Sequence, residues 1–293
     1  MTPARISIVI PTHRRPEFLC RALKSALTSC GRVDEVIVVS DHDPTAQDTL
    51  SDISDPRVRL IENNIRRGAS ATRNLGVTEA RGHTVLFLDD DDELQEGYIS
   101  NVLSALDQPD ANWGFASQII RFTASEAPQA LSRVTLTRGF LGSSVPFRRK
   151  LGALSSGLWV RRDLFLSVGG LSEDQSVDED VDLCCRLIAG GHQPWFEPKP
   201  ATILDRNPEI PRLTNAIANE RNAECYLRSF KQNYKFLNNE AGAVAFLANR
   251  AQRMILRSGQ HDLLNMILNE EISTSLRFFL WGKRIIFALR NRP

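Results

Sequence analysis

No stretch of this 293-residue chain approaches the ~20 consecutive apolar residues of a membrane-spanning helix, although 42% of its residues are hydrophobic. Neither sign of charge is in excess: 36 Lys and Arg face 35 Asp and Glu, which argues against a polyanion-binding surface and a nucleic-acid partner. Cysteine is scarce: Cys20, Cys30, Cys184, Cys185 and Cys225 are five, an odd number, with no C-x-x-C or His-x-x-Cys spacing. A reducing cytoplasmic setting is therefore expected, with adjacent Cys184 and Cys185 as packed thiols rather than ligands. The first apolar run, Ile6 to Ile10, is short and followed by basic residues, so it reads as a strand and not a signal peptide. Internal repeats and low-complexity tracts are absent too.

What is present is an alternation of strand and helix signals. "ISIVI" (6–10), "EVIVVS" (35–40), "VRLIE" (58–62) and "TVLFLD" (84–89) read as buried strands. Between them, 16–29, 45–53 and 69–80 read as helices, the first with apolar residues at three- and four-residue spacing. Such alternation implies right-handed crossovers and a mostly parallel sheet. Beyond residue 113 the expectation is a strand over 113–122, a loop-rich 123–150, and a strand, short helix and Gly-Gly stop over 155–170. A helix with an acidic start and a glycine end follows at 178–191, then a strand at 201–207. Four helices are expected at 211–235, 239–258, 261–270 and 273–290.

The densest negative charge, Asp89 to Asp92, stands at the tip of the apolar run Val85–Leu88. Adjacent carboxylates there repel one another and resist desolvation, so a positive partner is expected. In an open parallel sheet, ligands bind beyond the carboxyl ends of the strands. "PTHRR" (11–15) follows the first strand and "SDHD" (40–43) the second, on the same edge as the Asp run. If the run is strand-like, Asp89 and Asp91 point the same way, and two hard oxygen ligands suit Mn²⁺ or Mg²⁺ carrying a diphosphate. The plainer alternative is a solvated acidic turn capping the next helix.

Several stretches taken together resemble the family-2 glycosyltransferases: "SIVIPTHRRPEFLCRALKSAL" (7–27), "DEVIVVSDHDPTAQDTL" (34–50), "NNIRRGASATRNLGVTEARGHTVLFLDDDDEL" (63–94), "GLWVRRDLFLSVGGLSED" (157–174) and "DEDVDLCCRLIAGGH" (178–192). The resemblance implies an α/β fold of the GT-A type: a Rossmann-like, mostly parallel sheet with flanking helices, plus a C-terminal helical segment. It divides the chain into a glycosyltransferase domain over 1–205 (a nucleotide-sugar half, 1–110, and an acceptor half, 111–205) and a helical extension over 206–293. It implies a metal-dependent enzyme that moves a sugar from a nucleotide sugar to an acceptor hydroxyl with inversion. Pro11 and Thr12 would line the nucleotide pocket. Asp41 would recognise the base, by accepting the N3–H of uracil. Arg73 and Asn74 match the family's Arg-Asn pair near the donor. Asp89, with Asp90, is expected on the ribose or donor sugar, and Asp91 on the metal. The base that takes the acceptor proton is expected in Glu179–Asp180, with Asp180 first; with the metal neutralising the departing diphosphate, no general acid is needed.

The chain also departs from the family. Ser40 replaces the first of two acidic residues after the second strand, and Asp205 stands where many relatives carry a metal-ligating histidine. Asp205 is then a third ligand, with Asp89 and Asp91, or water takes the place. The Q-x-x-R-W motif of processive synthases is missing, which favours single transfer. A sugar nucleotidyltransferase is the runner-up, but "PTHRRPEF" lacks its glycine-rich loop; a non-catalytic nucleotide-sugar binding protein is a third reading. By analogy with bacterial relatives, the acceptor is expected to be a saccharide or lipid-linked saccharide in surface-polysaccharide synthesis. The helix "SLRFFLWGKRIIFALRNRP" (275–293) is rich in Trp, Phe, Leu and Ile, basic, and free of acidic residues. It suits either peripheral contact with the inner face of a membrane or packing on other helices or a second copy of the chain.

Overall fold

The computed structural model describes residues 6–31, 34–122, 129–130, 136–152, 156–206 and 220–290. The first half runs β1 (Ile6–Thr12), α1 (Pro16–Ser29), β2 (Glu35–Asp41), α2 (Thr45–Leu50), β3 (Val58–Asn63), α3 (Ala69–Glu79), β4 (Thr84–Phe87), β5 (Glu93–Leu94) and α4 (Tyr98–Leu106). Then follow β6 (Trp113–Arg121), β7 (Gln129–Ala130), β8 (Gly139–Phe140), α5 (Phe147–Lys150), β9 (Trp159–Arg161), α6 (Arg162–Ser167), α7 (Glu179–Ala189) and β10 (Trp195–Asp205). Four helices complete the chain: α8 (Glu220–Asn233), α9 (Ala243–Ser258), α10 (Leu263–Leu268) and α11 (Thr274–Arg290).

Among the described residues the strands form one sheet in the order β3-β2-β1-β4-β9-β6-β10-β5, with β7 on β6 and β8 on β10. β3, β2, β1 and β4 are mutually parallel, whereas β9 runs antiparallel to both β4 and β6. This is a GT-A fold. Side chains alternate across a strand, so each central strand feeds two cores. Val9, Ile37, Val39 and Phe87 lie in one cluster with α7; Ile8, Ile10, Val36, Val38 and Leu86 lie in the other with Leu19 and Leu23 of α1. That is why the strands read as continuous β-branched runs rather than an alternating pattern.

Two boundaries near the site differ from the expectation. β4 stops at Phe87, before the Asp run, because after a last bond from Leu88 to β1 the Asp89 amide leaves the ladder. The Leu88 amide donates to the Val9 carbonyl at 3.1 Å and the Asp89 amide to Ser156 Oγ at 2.9 Å. β10 begins at Trp195 rather than 201, despite Pro198 and Pro200. Its register on β6 shifts between Glu197 and Pro200 and again before Thr202, and such irregularities let proline sit in a strand. The helix expected over 211–235 is described only from Glu220, and residues 207–219 lie outside the described residues.

Among the described residues, the chain beyond 205 has no separate core. Ala223, Leu227 and Phe230 of α8 and Leu247, Ala251 and Ile255 of α9 belong to the same apolar cluster as Val181, Leu183 and Leu187 of α7. Each of the larger buried side chains among these contributes about 1.5–3 kcal/mol, enough to tie the helices to the sheet. Among the described residues no helix is long and apolar enough to cross a membrane. Cys184, Cys185 and Cys225 are buried thiols, as packing predicts.

Candidate active site

The carboxyl ends of β1, β2 and β4 carry the site, and the Asp run enters it as a turn rather than a strand. The Asp92 amide closes that turn on the Asp89 carbonyl at 3.1 Å. Carboxylate oxygens of Asp89, Asp91 and Asp92 thereby come within 4.8 Å of one another. Asp92 is buried; its Oδ2 accepts from Ser156 Oγ at 2.5 Å and its Oδ1 from the Asp205 amide at 3.1 Å. Burial raises the Asp92 pKa, and the charges of Asp91 and Asp89 raise it further. Three crowded hard oxygens under mutual repulsion fit a divalent cation of the Mg²⁺ or Mn²⁺ kind.

Arginines supply the positive charge that the run demands. Arg15 Nη1 lies 3.3 Å from Asp90 Oδ1 and 3.2 Å from Asp91 Oδ2. Arg21, one turn into α1, donates to the Asp91 carbonyl at 3.1 Å. Thr12 Oγ1 donates to Asp90 Oδ2 at 2.9 Å. Burial pushes the Asp90 carboxyl up to about 7, with Arg15 opposing the rise and Asp91 adding to it. Asp90 is thus held by protein partners on both oxygens.

α3 brings Arg73 beneath the run. The helix can lie this close to the sheet because residue 76 is glycine: a Cβ there would stand 2.5 Å from Val9 Cγ1. Arg73 is buried, with Nη2 2.5 Å from Asp89 Oδ1 and Nη1 3.4 Å from Glu179 Oε1. Burial alone would lower its pKa, but Asp89 and Glu179 outweigh that and the guanidinium stays charged. Its Nε is buried with no hydrogen-bond partner among the described residues.

Glu179 and Asp180 open α7. Burial raises both carboxyls; each also feels the other's charge or that of Asp89, and Glu179 is pushed up to about 7. Asp180 Oδ1 accepts from the Val181 amide at 2.7 Å, and no described residue donates to its Oδ2. The first turn of α7 is therefore a pair of carboxylates with raised affinity for a proton, joined to the Asp run through one arginine.

The other expected residues take more structural places. Pro11 sits in β1 opposite Val39, half-buried. Asp41 is buried and accepts from the backbone amides of Arg67 at 2.8 Å and Gly68 at 2.9 Å. It thereby fixes the loop into α3, where Gly68 has φ +87°. The Asn74 side chain brackets Leu171, donating to its carbonyl and accepting from its amide, both at 2.9 Å. Asp205 does not join the metal-type cluster. Its Oδ2 accepts from Arg21 Nη2 at 2.9 Å, because β10 delivers it to the α1 side, and Asp92 completes the carboxylate group instead. Sequence reasoning did not place Asp92 in the cluster, Ser156 as its partner, or Arg15 and Arg21 against the Asp run. The "HRR" after β1 was the available signal for Arg15; nothing local marks Ser156, which lies 64 residues from Asp92.

A GT-A sheet with acidic side chains gathered on its carboxyl edge is the frame on which glycosyltransferases are built. The chain belongs to one family of them, since the model of Glycosyl transferase family 2 matches residues 7–167. It is 26% identical over 233 residues to an uncharacterized glycosyltransferase of Haemophilus influenzae, covering 76% of each chain. It is 27% identical over 202 residues to the succinoglycan biosynthesis protein ExoO of Rhizobium meliloti, covering 66% of this chain and 58% of that one. A Campylobacter jejuni GalNAc(5)-diNAcBac-PP-undecaprenol beta-1,3-glucosyltransferase is 35% identical over 118 residues, which cover 38% of this chain and 36% of its own length. The fold is shared with S. aureus TarS 1–349 in complex with UDP-GlcNAc, at TM-score 0.67 and 16% identity, covering 97% of this chain and 81% of that one. Family membership separates the chain from the sugar nucleotidyltransferases.

Proposed function

We propose that the protein transfers one sugar from a UDP-linked donor to a hydroxyl of a saccharide or lipid-linked saccharide, with inversion and metal dependence, in surface-polysaccharide synthesis. The observation that carries this reading is the chain of contacts Asp89–Arg73–Glu179, which joins the metal-type carboxylates to a carboxylate pair with raised pKa. Direct displacement at an α-linked sugar needs a base for the acceptor hydroxyl, and Asp180, whose Oδ2 lacks a donor, is the first choice, with Glu179 second. Asp89, Asp91 and Asp92 would hold Mn²⁺ or Mg²⁺, which would neutralise the departing diphosphate. The unpaired Arg73 Nε–H costs about 1–3 kcal/mol when buried alone, and an acceptor atom of the donor would relieve it.

Pro11, Thr12, Asp41 and Asn74 shape the donor pocket in this reading. Asp41 reaches the base only by accepting a further hydrogen bond beside those from Arg67 and Gly68. The relatives named for succinoglycan biosynthesis and for an undecaprenol-linked substrate support the acceptor class. The exposed Phe278, Trp281 and Ile285 of α11 recur at three- and four-residue spacing beside Arg277 and Arg284, in a helix with no acidic residue. That stripe suits the headgroup layer of an anionic membrane rather than a second copy, whose equivalent arginines would meet it. The deciding experiment incubates the protein with a panel of nucleotide sugars and Mn²⁺, with and without acceptor saccharides. Acceptor-dependent UDP release and a β-linked product from an α-linked donor are expected; an α-linked product overturns the inverting mechanism.

A further inference from the structure

α7 is anchored from outside the family-matched segment. Asp178, its N-cap residue, has φ +69°, a left-handed conformation that Asp tolerates but that its surroundings must hold. An Asp at this position ordinarily caps its own helix, yet its carboxylate makes no cap bond here. It is instead buried against Arg250 of α9, whose Nε and Nη2 lie 2.7 and 2.6 Å from Asp178 Oδ1. Arg250 is itself seated over the Tyr226 ring of α8, at 4.9 Å. Further bonds reach the same stretch from the same helices. Asn233 donates to Asp182 Oδ1 at 2.7 Å, and Gln175 donates to the Cys225 carbonyl at 3.3 Å.

We propose that Arg250 is a positioning residue for the transfer reaction: by clamping Asp178 it sets the direction of the α7 first turn, and so where Glu179 and Asp180 stand. The inference rests on the reading that the base lies in that pair. It makes the C-terminal helices part of the catalytic unit, although the family match ends at residue 167. Arg250 touches neither Glu179 nor Asp180 by any hydrogen bond or ion pair among the described residues; its contact with the α7 start is through Asp178, although its charge also favours the ionised form of Asp180.

The test uses the full chain and the nucleotide sugar that the panel selects. Arg250→Ala leaves Asp178 buried and unpaired and risks unfolding. The double variant Arg250→Met/Asp178→Asn removes both charges and keeps the fold. Expected for the double variant is a kcat about 10- to 100-fold below wild type. Its KM for the donor, and its affinity for UDP with Mn²⁺ by calorimetry, should stay within about threefold. Arg250→Lys should recover part of the lost kcat. A double variant that turns over at the wild-type rate, or one whose kcat and UDP affinity fall together, overturns the inference. Glu179→Gln and Asp180→Asn serve as reference arms. If both retain wild-type kcat, the base assignment itself fails; if either is crippled while the double variant is not, only the positioning role fails.

Discussion

Arg73 touches Asp89 at 2.5 Å and Glu179 at 3.4 Å, so a single buried guanidinium holds the Asp run and the first turn of α7 in one frame. Arg73→Met would strand two carboxylates without their partner. Breaking such a buried pair costs about 3–5 kcal/mol. The expected result is a large drop in thermal midpoint together with loss of transfer. A variant as stable as wild type would show that the three groups are not coupled.

The Asp89, Asp91 and Asp92 group predicts a split between stability and activity. Asp92→Asn removes one of three crowded charges, and Asp91→Asn leaves Arg15 paired with Asp90. Neither should lower the melting temperature much, and both should abolish Mn²⁺-dependent UDP release. Wild-type transfer that persists in excess chelator would remove the metal from the mechanism.

Stability should run against the usual pH trend near neutrality. The folded-state pKa values of Glu179 and Asp178 are raised from 4.5 and 3.8, respectively, to about 7, chiefly by burial. Between those limits the native state binds more protons than the unfolded chain, so unfolding free energy falls as pH rises from about 4 to about 7. The ligand-free protein should therefore melt higher at about pH 5.5 than at about pH 7.5, and Glu179→Gln should flatten the slope. Activity should move the opposite way, rising with pH as the raised carboxyls of the Glu179–Asp180 pair ionise, because a base must be ionised to accept a proton. Melting temperatures that climb from about pH 5.5 to 7.5 would contradict this account.

Base removal gives a kinetic signature. Asp180→Asn should lower kcat by roughly 10²–10⁴-fold with donor binding little changed. If Glu179→Gln shows that loss and Asp180→Asn does not, the roles within the pair are reversed.

For α11, the exposed stripe is tested without disturbing the fold. Wild-type protein should sediment with anionic liposomes at ~0.1 M salt, where charges still act over about 10 Å. The Phe278→Ser/Trp281→Ser variant should stay in solution, since both side chains are exposed and carry little packing. If both proteins remain soluble, the membrane contact is wrong.

The parallel half of the sheet is legible in the residues alone, because β-branched runs such as "ISIVI" and "EVIVVS" can be buried on both faces only between helices. So is α7, through an acidic first turn and a glycine end that match local helix electrostatics. Dense charge at the tip of an apolar strand marked the Asp run, whereas Arg73 and the Glu179–Asp180 pair were marked by the family resemblance. Which carboxylates meet depends on how distant elements pack. β4 ends before the run, so the alternation that paired Asp89 with Asp91 gave way to a turn that adds Asp92, while β10 carries Asp205 to Arg21 instead. The extent of β10 was hidden too, because its prolines are absorbed by register shifts against β6, which a single strand's residues do not encode. The same holds for Arg250: it stands 72 residues from Asp178, and only the shared apolar core of α7, α8 and α9 brings that cation to that carboxylate.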